Sequence, residues 1–237
     1  MAIYVTSDAH GHVRALDEAL SKISLTSDDT LYVLGDMIDR GPDPVGVINL
    51  VRSLPNARVL KGNHEQIMLD AIIGQDPLDA ETWDINGGWT TRQQLNEMEF
   101  EAYEELVRWA AALPLYAVAE TAERPYLLVH AGIQAEAARA FLLEHGVDCA
   151  DGRGAVDANS ELLQQMLAVQ SSDDLLWIRH GYWDAPTGLL SVEGKGPVVV
   201  SGHTPTVSLG RYCEVGGLAG LDEESGRGQI VRLGGED

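Results

Sequence analysis

Five short apolar runs, Ala2–Thr6, Thr30–Leu34, Ala57–Leu60, Tyr126–Val129 and Pro197–Val200, each end in polar residues that can bind a metal and that stand beside glycine. Runs of this length, rich in β-branched residues and bounded by turn formers, read as buried strands. Their ends are Asp8-Ala9-His10-Gly11, then Gly35-Asp36-Met37-Ile38-Asp39-Arg40-Gly41, then Gly62-Asn63-His64-Glu65, then His130-Ala131-Gly132, and last Gly202-His203-Thr204-Pro205. Between the first three runs lie segments of helical spacing, Val13–Ile23 and Pro44–Leu54, the second with proline in its first turn. Strand, loop, helix, strand is an α/β pattern, and the crevice beyond the carboxyl ends of such strands is its natural ligand site. Burying that many ionisable side chains in one place costs too much unless they are paired or coordinated.

The donors gathered in this way are Asp8, His10, Asp36, Asp39, Asn63, His64, His130 and His203. Carboxylates, imidazoles and one amide suit hard-to-borderline divalent ions, with manganese as the first expectation and iron or zinc as alternatives. Cys149 and Cys213 stand far apart with no CxxC spacing, which indicates neither a thiolate site nor a disulfide framework and fits a reducing compartment. An aspartate able to bridge makes two ions reasonable, and ions roughly 3.5–4 Å apart can activate a water and stabilise a phosphoryl group in displacement.

The remainder reads as support. Glu65–Ile73, Thr90–Ala112, Glu136–Glu144 and Ser160–Val169 are helical with acidic faces, forming a helical cover over about 65–112 and 134–170. Asp151–Gly154 marks a loop, and the glycine-rich stretch 210–235 reads as turns joining short late strands. The 237 residues suit one domain, 1–237. Sixteen Lys plus Arg against 37 Asp plus Glu give a net charge of -21, which argues against a nucleic-acid backbone or an anionic membrane as partner. With no signal-like or membrane-length apolar segment in the sequence, a cytoplasmic protein is expected. His12 reads as a helix-start residue and His145 as a cation at a helix C-terminus. His180 reads as surface or cleft wall, and the tryptophans Trp83, Trp89, Trp109, Trp177 and Trp183 as packing.

Asp8-x-His10, GDMIDRG at 35–41, GNHE at 62–65, HAG at 130–132 and GHTP at 202–205 together resemble the signature of the phosphoprotein phosphatases within the metallophosphoesterase superfamily. GNHEQIM at 62–68, GGWTT at 87–91 and LLWIR at 175–179 extend the resemblance to bacterial and bacteriophage lambda members. It implies an α/β fold with a central β-sandwich flanked by helices and a helical cap. It also implies roles: Asp8 and His10 on a first metal, Asp36 bridging, and Asn63, His130 and His203 on a second. His64 is implied as proton donor to the leaving oxygen, oriented by Asp39, with Arg40 and Arg179 gripping phosphoryl oxygens. Ser7 stands where the family usually has glycine, Lys61 where arginine is common, and the segment 210–220 diverges.

The implied activity is hydrolysis of phosphomonoesters by direct attack of a metal-bound hydroxide. A phosphorylated protein, at serine, threonine or tyrosine, is the first substrate expectation, with small phosphoesters also admitted. The alternative is a dinucleoside polyphosphate hydrolase of the diadenosine tetraphosphatase kind, whose symmetrically cleaving branch often lacks an acid at the position of Asp39. A catalytically inactive, metal-stabilised interaction module stands third, and its expected mark, a missing ligand or missing His64, is not found.

Overall fold

A computed structural model describes residues 1–74, 76–149, 155, 157–179, 196–204, 213–215, 218–220 and 230–234. The loop at 151–154, His180, Trp183, Pro205 and, within the divergent segment, residues 210–212 and 216–217 fall outside these residues. The first half alternates strand and helix: β1 (Ile3–Thr6), α1 (Val13–Ser21), β2 (Thr30–Val33), α2 (Pro44–Ser53) and β3 (Ala57–Val59). Four helices follow, α3 (Asn63–Ile73), α4 (Pro77–Ile85), α5 (Trp89–Asn96) and α6 (Phe100–Ala111). The second half contains β4 (Tyr116–Glu120), β5 (Pro125–Val129), α7 (Ala135–Glu144), α8 (Ser160–Ala168), α9 (Ser172–Trp177) and β6 (Val198–Ser201). Three short strands complete it, β7 (Cys213–Val215), β8 (Leu218–Gly220) and β9 (Val231–Leu233).

The strands form two sheets, ordered β3-β2-β1-β9 and β4-β5-β6-β8-β7. Within them β1, β2 and β3 run parallel, as do β5, β6 and β8, while β9, β4 and β7 are antiparallel edge partners. The period-two alternation of side chains explains why the sheets stack. Ile3 and Val5 of β1, Tyr32 of β2, Tyr126 and Leu128 of β5 and Val198 and Val200 of β6 meet in one apolar layer between the sheets. The intervening residues face helices. Leu31 and Val33 pack with α1, α2 and α3, and Leu127, Val129 and Val199 pack with α7 and α8. Strands apolar on both faces need cover on both, so the chain builds helix, sheet, sheet, helix. This is the expected sandwich, and burial of each Leu, Ile or Val contributes about 1.5–3 kcal/mol to it.

Two elements depart from the sequence reading. Thr90–Ala112 is two helices, because the chain turns at Glu97–Glu99 and sends Leu95 and Leu106 into the same core from different directions. Helix α4 lies inside the expected helical cover of 65–112 but between the segments that spacing singles out; Asp76 caps it by accepting from Leu78 N at 2.9 Å and Pro77 opens it. The acidic excess does lie in part on the helical cover, where Glu101, Glu104 and Glu105 of α6 are exposed. No described helix is long and apolar enough to cross a membrane.

Candidate metal centre

The carboxyl ends of β1, β2, β3, β5 and β6 converge as the motifs require. Backbone bonds tie the loops together: Asp8 N donates to Gly35 O at 3.1 Å, His10 N to Asp36 O at 2.9 Å, and Gly202 N to His130 O at 2.9 Å. Among the described residues six non-glycine residues have positive φ, and all belong to these loops: Asp8, His10, Asp36, Asp39, Arg40 and His203, at 41° to 68°. Each such residue costs on the order of 1–3 kcal/mol, and Asp and His bear it better than most. Concentrating that strain on the ligand loops is the mark of a site whose side-chain directions matter more than local stability. The neighbouring glycines are equally constrained. A Cβ on Gly62 would sit 2.2 Å from Asp36 Oδ1, and one on Gly202 would sit 2.0 Å from Asp8 Oδ2 and 2.1 Å from Ser7 Oγ.

Asp8, His10, Asp36, Asn63, His64, His130 and His203 are all buried. His10, Asp36 and His64 offer donor atoms within 4.8 Å of one another, and so do Asp36, His130 and His203, with Asp36 common to both groups. His130 Nδ1 lies 2.7 Å from Leu34 O and His10 Nδ1 lies 2.9 Å from Ile38 O. A carbonyl only accepts, so each Nδ1 carries a hydrogen and Nε2 is left as the nitrogen that each ring can offer a metal. That is how a protein orients a metal-binding imidazole. His130 Nε2 then faces Asn63 Oδ1 at 2.8 Å and Asp36 Oδ1 at 3.4 Å, and His203 Nδ1 lies 2.9 Å from the same amide oxygen. On the other side His10 Nε2 faces Asp36 Oδ2 at 3.5 Å and Asp8 Oδ1 at 3.9 Å. Lone pairs aimed at one another call for a cation between them, so the donor set fits two divalent ions sharing Asp36.

The electrostatics agree. Burial, reinforced by His64, lowers His10 to a pKa of about 3, and burial with Arg40 does the same to His64. Burial and then His130 depress His203. Burial, followed by the charges of Asp8 and Glu65, pushes the Asp36 carboxyl well above its ordinary range. Neutral imidazoles beside a carboxylate that resists ionising are groups whose balance a divalent cation reverses.

Around this cluster the catalytic candidates take distinct places. His64 Nδ1 donates to Asp39 Oδ2 at 2.7 Å. Arg40 lies between two rings, with Nη1 3.0 Å from His10 Nε2 and Nη2 2.8 Å from His64 Nε2. Arg179 is exposed just past α9, near enough for its charge to depress both His64 and His203.

Three residues escaped the sequence reading of the site. Trp83 Nε1 donates to Asp39 Oδ1 at 3.0 Å, and Thr91 Oγ1 donates to the same oxygen at 2.6 Å. Glu65, read only as part of a motif, accepts from the backbone N–H of Asp36, Met37 and Gly62 at 2.8–2.9 Å and so locks the β2 and β3 loops together. Lys61 donates to Gln66 Oε1 and Ala111 O, both at 3.3 Å, a structural contact in which a planar fork is not needed. His145 stands at the C-terminus of α7, the position expected of it, and donates from Nδ1 to Phe141 O at 2.8 Å. His12 stands at the start of α1 without a side-chain cap bond.

A family model of calcineurin-like phosphoesterases matches residues 1–224. The chain is 32% identical over 220 residues to a symmetrical bis(5'-nucleosyl)-tetraphosphatase of Proteus mirabilis, an alignment covering 90% of this chain and 68% of that protein. A protein of the same description from Erwinia tasmaniensis is 31% identical over 136 residues, covering 56% of this chain and 45% of its own length. Among solved structures, a protein serine/threonine phosphatase from Saccharomyces cerevisiae superposes with a TM-score of 0.61 at 16% identity, covering 98% of this chain and 72% of that one. A cold-active protein-tyrosine phosphatase from Shewanella gives 0.51 at 17% identity, covering 98% and 75%. These two likenesses are of fold. Taken with five strand ends that aim lone pairs at two points flanking Asp36, the family match places this chain among the calcineurin-like phosphoesterases, within the metallophosphoesterases.

Proposed function

We propose that the protein is a dinuclear-metal hydrolase that cleaves dinucleoside tetraphosphates symmetrically, into two nucleoside diphosphates. The observation that carries this reading is the similarity to the Proteus mirabilis tetraphosphatase, which extends over 90% of the chain. Asp8, His10 and Asp36 would hold one ion, and Asp36, Asn63, His130 and His203 the other. Bound there, two divalent ions, with manganese the first to test, supply Lewis-acid stabilisation of phosphoryl charge and a water of lowered pKa. Arg40 and Arg179 bind the oxygens of the phosphoryl group undergoing transfer, a task that suits planar guanidinium forks. As the new P–O bond forms and the bridging P–O bond breaks, His64 would supply a proton to the leaving oxygen from Nε2, which requires Arg40 to turn from that nitrogen to the substrate and the ring to take up a second proton. Asp39 fixes the ring through Nδ1.

One observation favours a second reading, a phosphatase acting on phosphomonoesters such as phosphorylated proteins. An acidic diphosphate leaves readily without a proton, whereas an alkoxide does not, and here the His64–Asp39 pair is fully built at 2.7 Å. The test offers manganese-loaded protein diadenosine tetraphosphate, phosphopeptides and p-nitrophenyl phosphate side by side. The proposal expects kcat/KM for the dinucleotide to exceed that for any phosphopeptide by at least tenfold, with adenosine diphosphate as the sole nucleotide product. Preference for phosphopeptides overturns it in favour of the second reading.

A further inference from the structure

Among the described tryptophans, Trp83 is buried and spent on Asp39, and Trp109 is half-buried with the Arg52 guanidinium 5.5 Å above its ring. Trp89 and Trp177 differ. Their side chains are 58% and 41% exposed, although indole is the largest apolar side chain a core can use. Each stands beside a different half of the metal centre. Trp177 ends α9 and meets the His203 ring edge to face, with centroids 6.2 Å apart and an interplanar angle of 88°. Trp89 opens α5 directly after Gly87 and Gly88. Gly87 O accepts from Arg40 N at 3.1 Å, and a Cβ on Gly87 would come within 3.0 Å of Arg40 Cγ, so this turn lies against the arginine that reaches His10 and His64. The Trp177 indole therefore flanks the His203 side, and the turn that leads into Trp89 flanks the His10 and Arg40 side.

We propose that Trp89 and Trp177 are the two stacking platforms for the nucleobases of a dinucleoside polyphosphate, one for each half of the molecule. This rests on the dinucleotide reading of the site. The expectation that these indoles serve only packing does not account for their exposure. A base is joined to the reacting phosphoryl group through a sugar and a further phosphate, so its platform belongs at the rim rather than among the ligands. Base–aromatic stacking tolerates any base, and its loss costs about 5- to 150-fold in affinity.

The test compares diadenosine tetraphosphate with inorganic tetraphosphate, which has the same anhydride and no base. Trp89→Ala and Trp177→Ala are each expected to lower the ratio of kcat/KM values, dinucleotide over tetraphosphate, by roughly 5- to 150-fold, chiefly through KM. Trp→Phe should restore most of it. Independently of turnover, adenosine diphosphate added to metal-loaded wild type should quench tryptophan fluorescence, and Trp89→Phe and Trp177→Phe should each remove part of the quench. A wild type whose fluorescence does not respond, or alanine variants that leave the ratio unchanged, overturns the platforms even if the dinucleotide is the best substrate. A quench that the Phe variants reduce, in a protein that prefers phosphopeptides, upholds the platforms and overturns the dinucleotide reading.

Discussion

Trp83→Phe isolates one bond in the support of the proposed proton donor. Asp39 is fully buried, and burial raises its carboxyl from 3.8 to a pKa of about 6 despite the donors Thr91 and Trp83. Phenylalanine keeps most of the packing of the indole but removes the N–H that lies 3.0 and 3.2 Å from the two carboxylate oxygens. A hydrogen bond to an ionised group contributes about 1.5–3 kcal/mol, and at about 1.4 kcal/mol per unit its loss should lift Asp39 by a further one to two units. The sign follows from linkage. A carboxyl whose folded pKa lies above its unfolded value contributes stability that is present below pH 3.8 and lost as pH rises through the folded value, about 6 in the wild type and higher in the variant. Below about pH 5 the two proteins should differ only by packing and one neutral hydrogen bond. Above about pH 8 the gap should widen by about 1.5–3 kcal/mol. Urea unfolding of chelator-treated protein at the two pH values measures this, and Asp39→Asn should abolish the widening. An equal gap at both pH values would refute the reasoning and make Trp83 a packing residue.

Three further outcomes can be checked. Gly202→Ala places a methyl 2.0 Å from Asp8 Oδ2, so Asp8 must shift; we expect a stability loss of about 1–3 kcal/mol and weaker binding of the first ion, read by metal analysis after dialysis. His64→Asn should keep its metals while losing far more rate on a phosphoester with an alkoxide leaving group than on an activated aryl phosphate, and equal losses on both would remove the general-acid role. Glu65→Gln keeps the size of the side chain that accepts from three backbone amides but removes its charge and makes one atom a donor; a loss of about 2–4 kcal/mol together with lowered metal affinity is expected, and unchanged melting would show that the three bonds do not hold the loops.

The strand ends were legible because a run of apolar residues followed by a ligand and glycine is a local pattern, and because β-strand period fixes which residues face which layer. The ligands Asp8, His10, Asp36, Asn63, His130 and His203 follow from that pattern and the family resemblance, since each lies within four residues of its strand. The donors to Asp39 were not legible. Trp83 and Thr91 reach it across 44 and 52 residues from α4 and α5, and nothing local in either helix marks a hydrogen bond to a loop of the other end of the motif set. The break after α5 was hidden for the related reason that Glu97–Glu99 has helix-compatible composition, and only the shared core of Leu95 and Leu106 demands the turn. Asp76-Pro77, in contrast, was a readable signal for α4.

The central claim is that Asp36 is shared by two ions held at the strand ends. Anomalous scattering from crystals of manganese-loaded protein tests it most directly. Two peaks flanking the Asp36 carboxylate, one toward Asp8 and His10 and the other toward Asn63, His130 and His203, with both lost in Asp36→Asn, are the predicted result. A single peak, or two that persist in Asp36→Asn, would contradict the shared-aspartate centre.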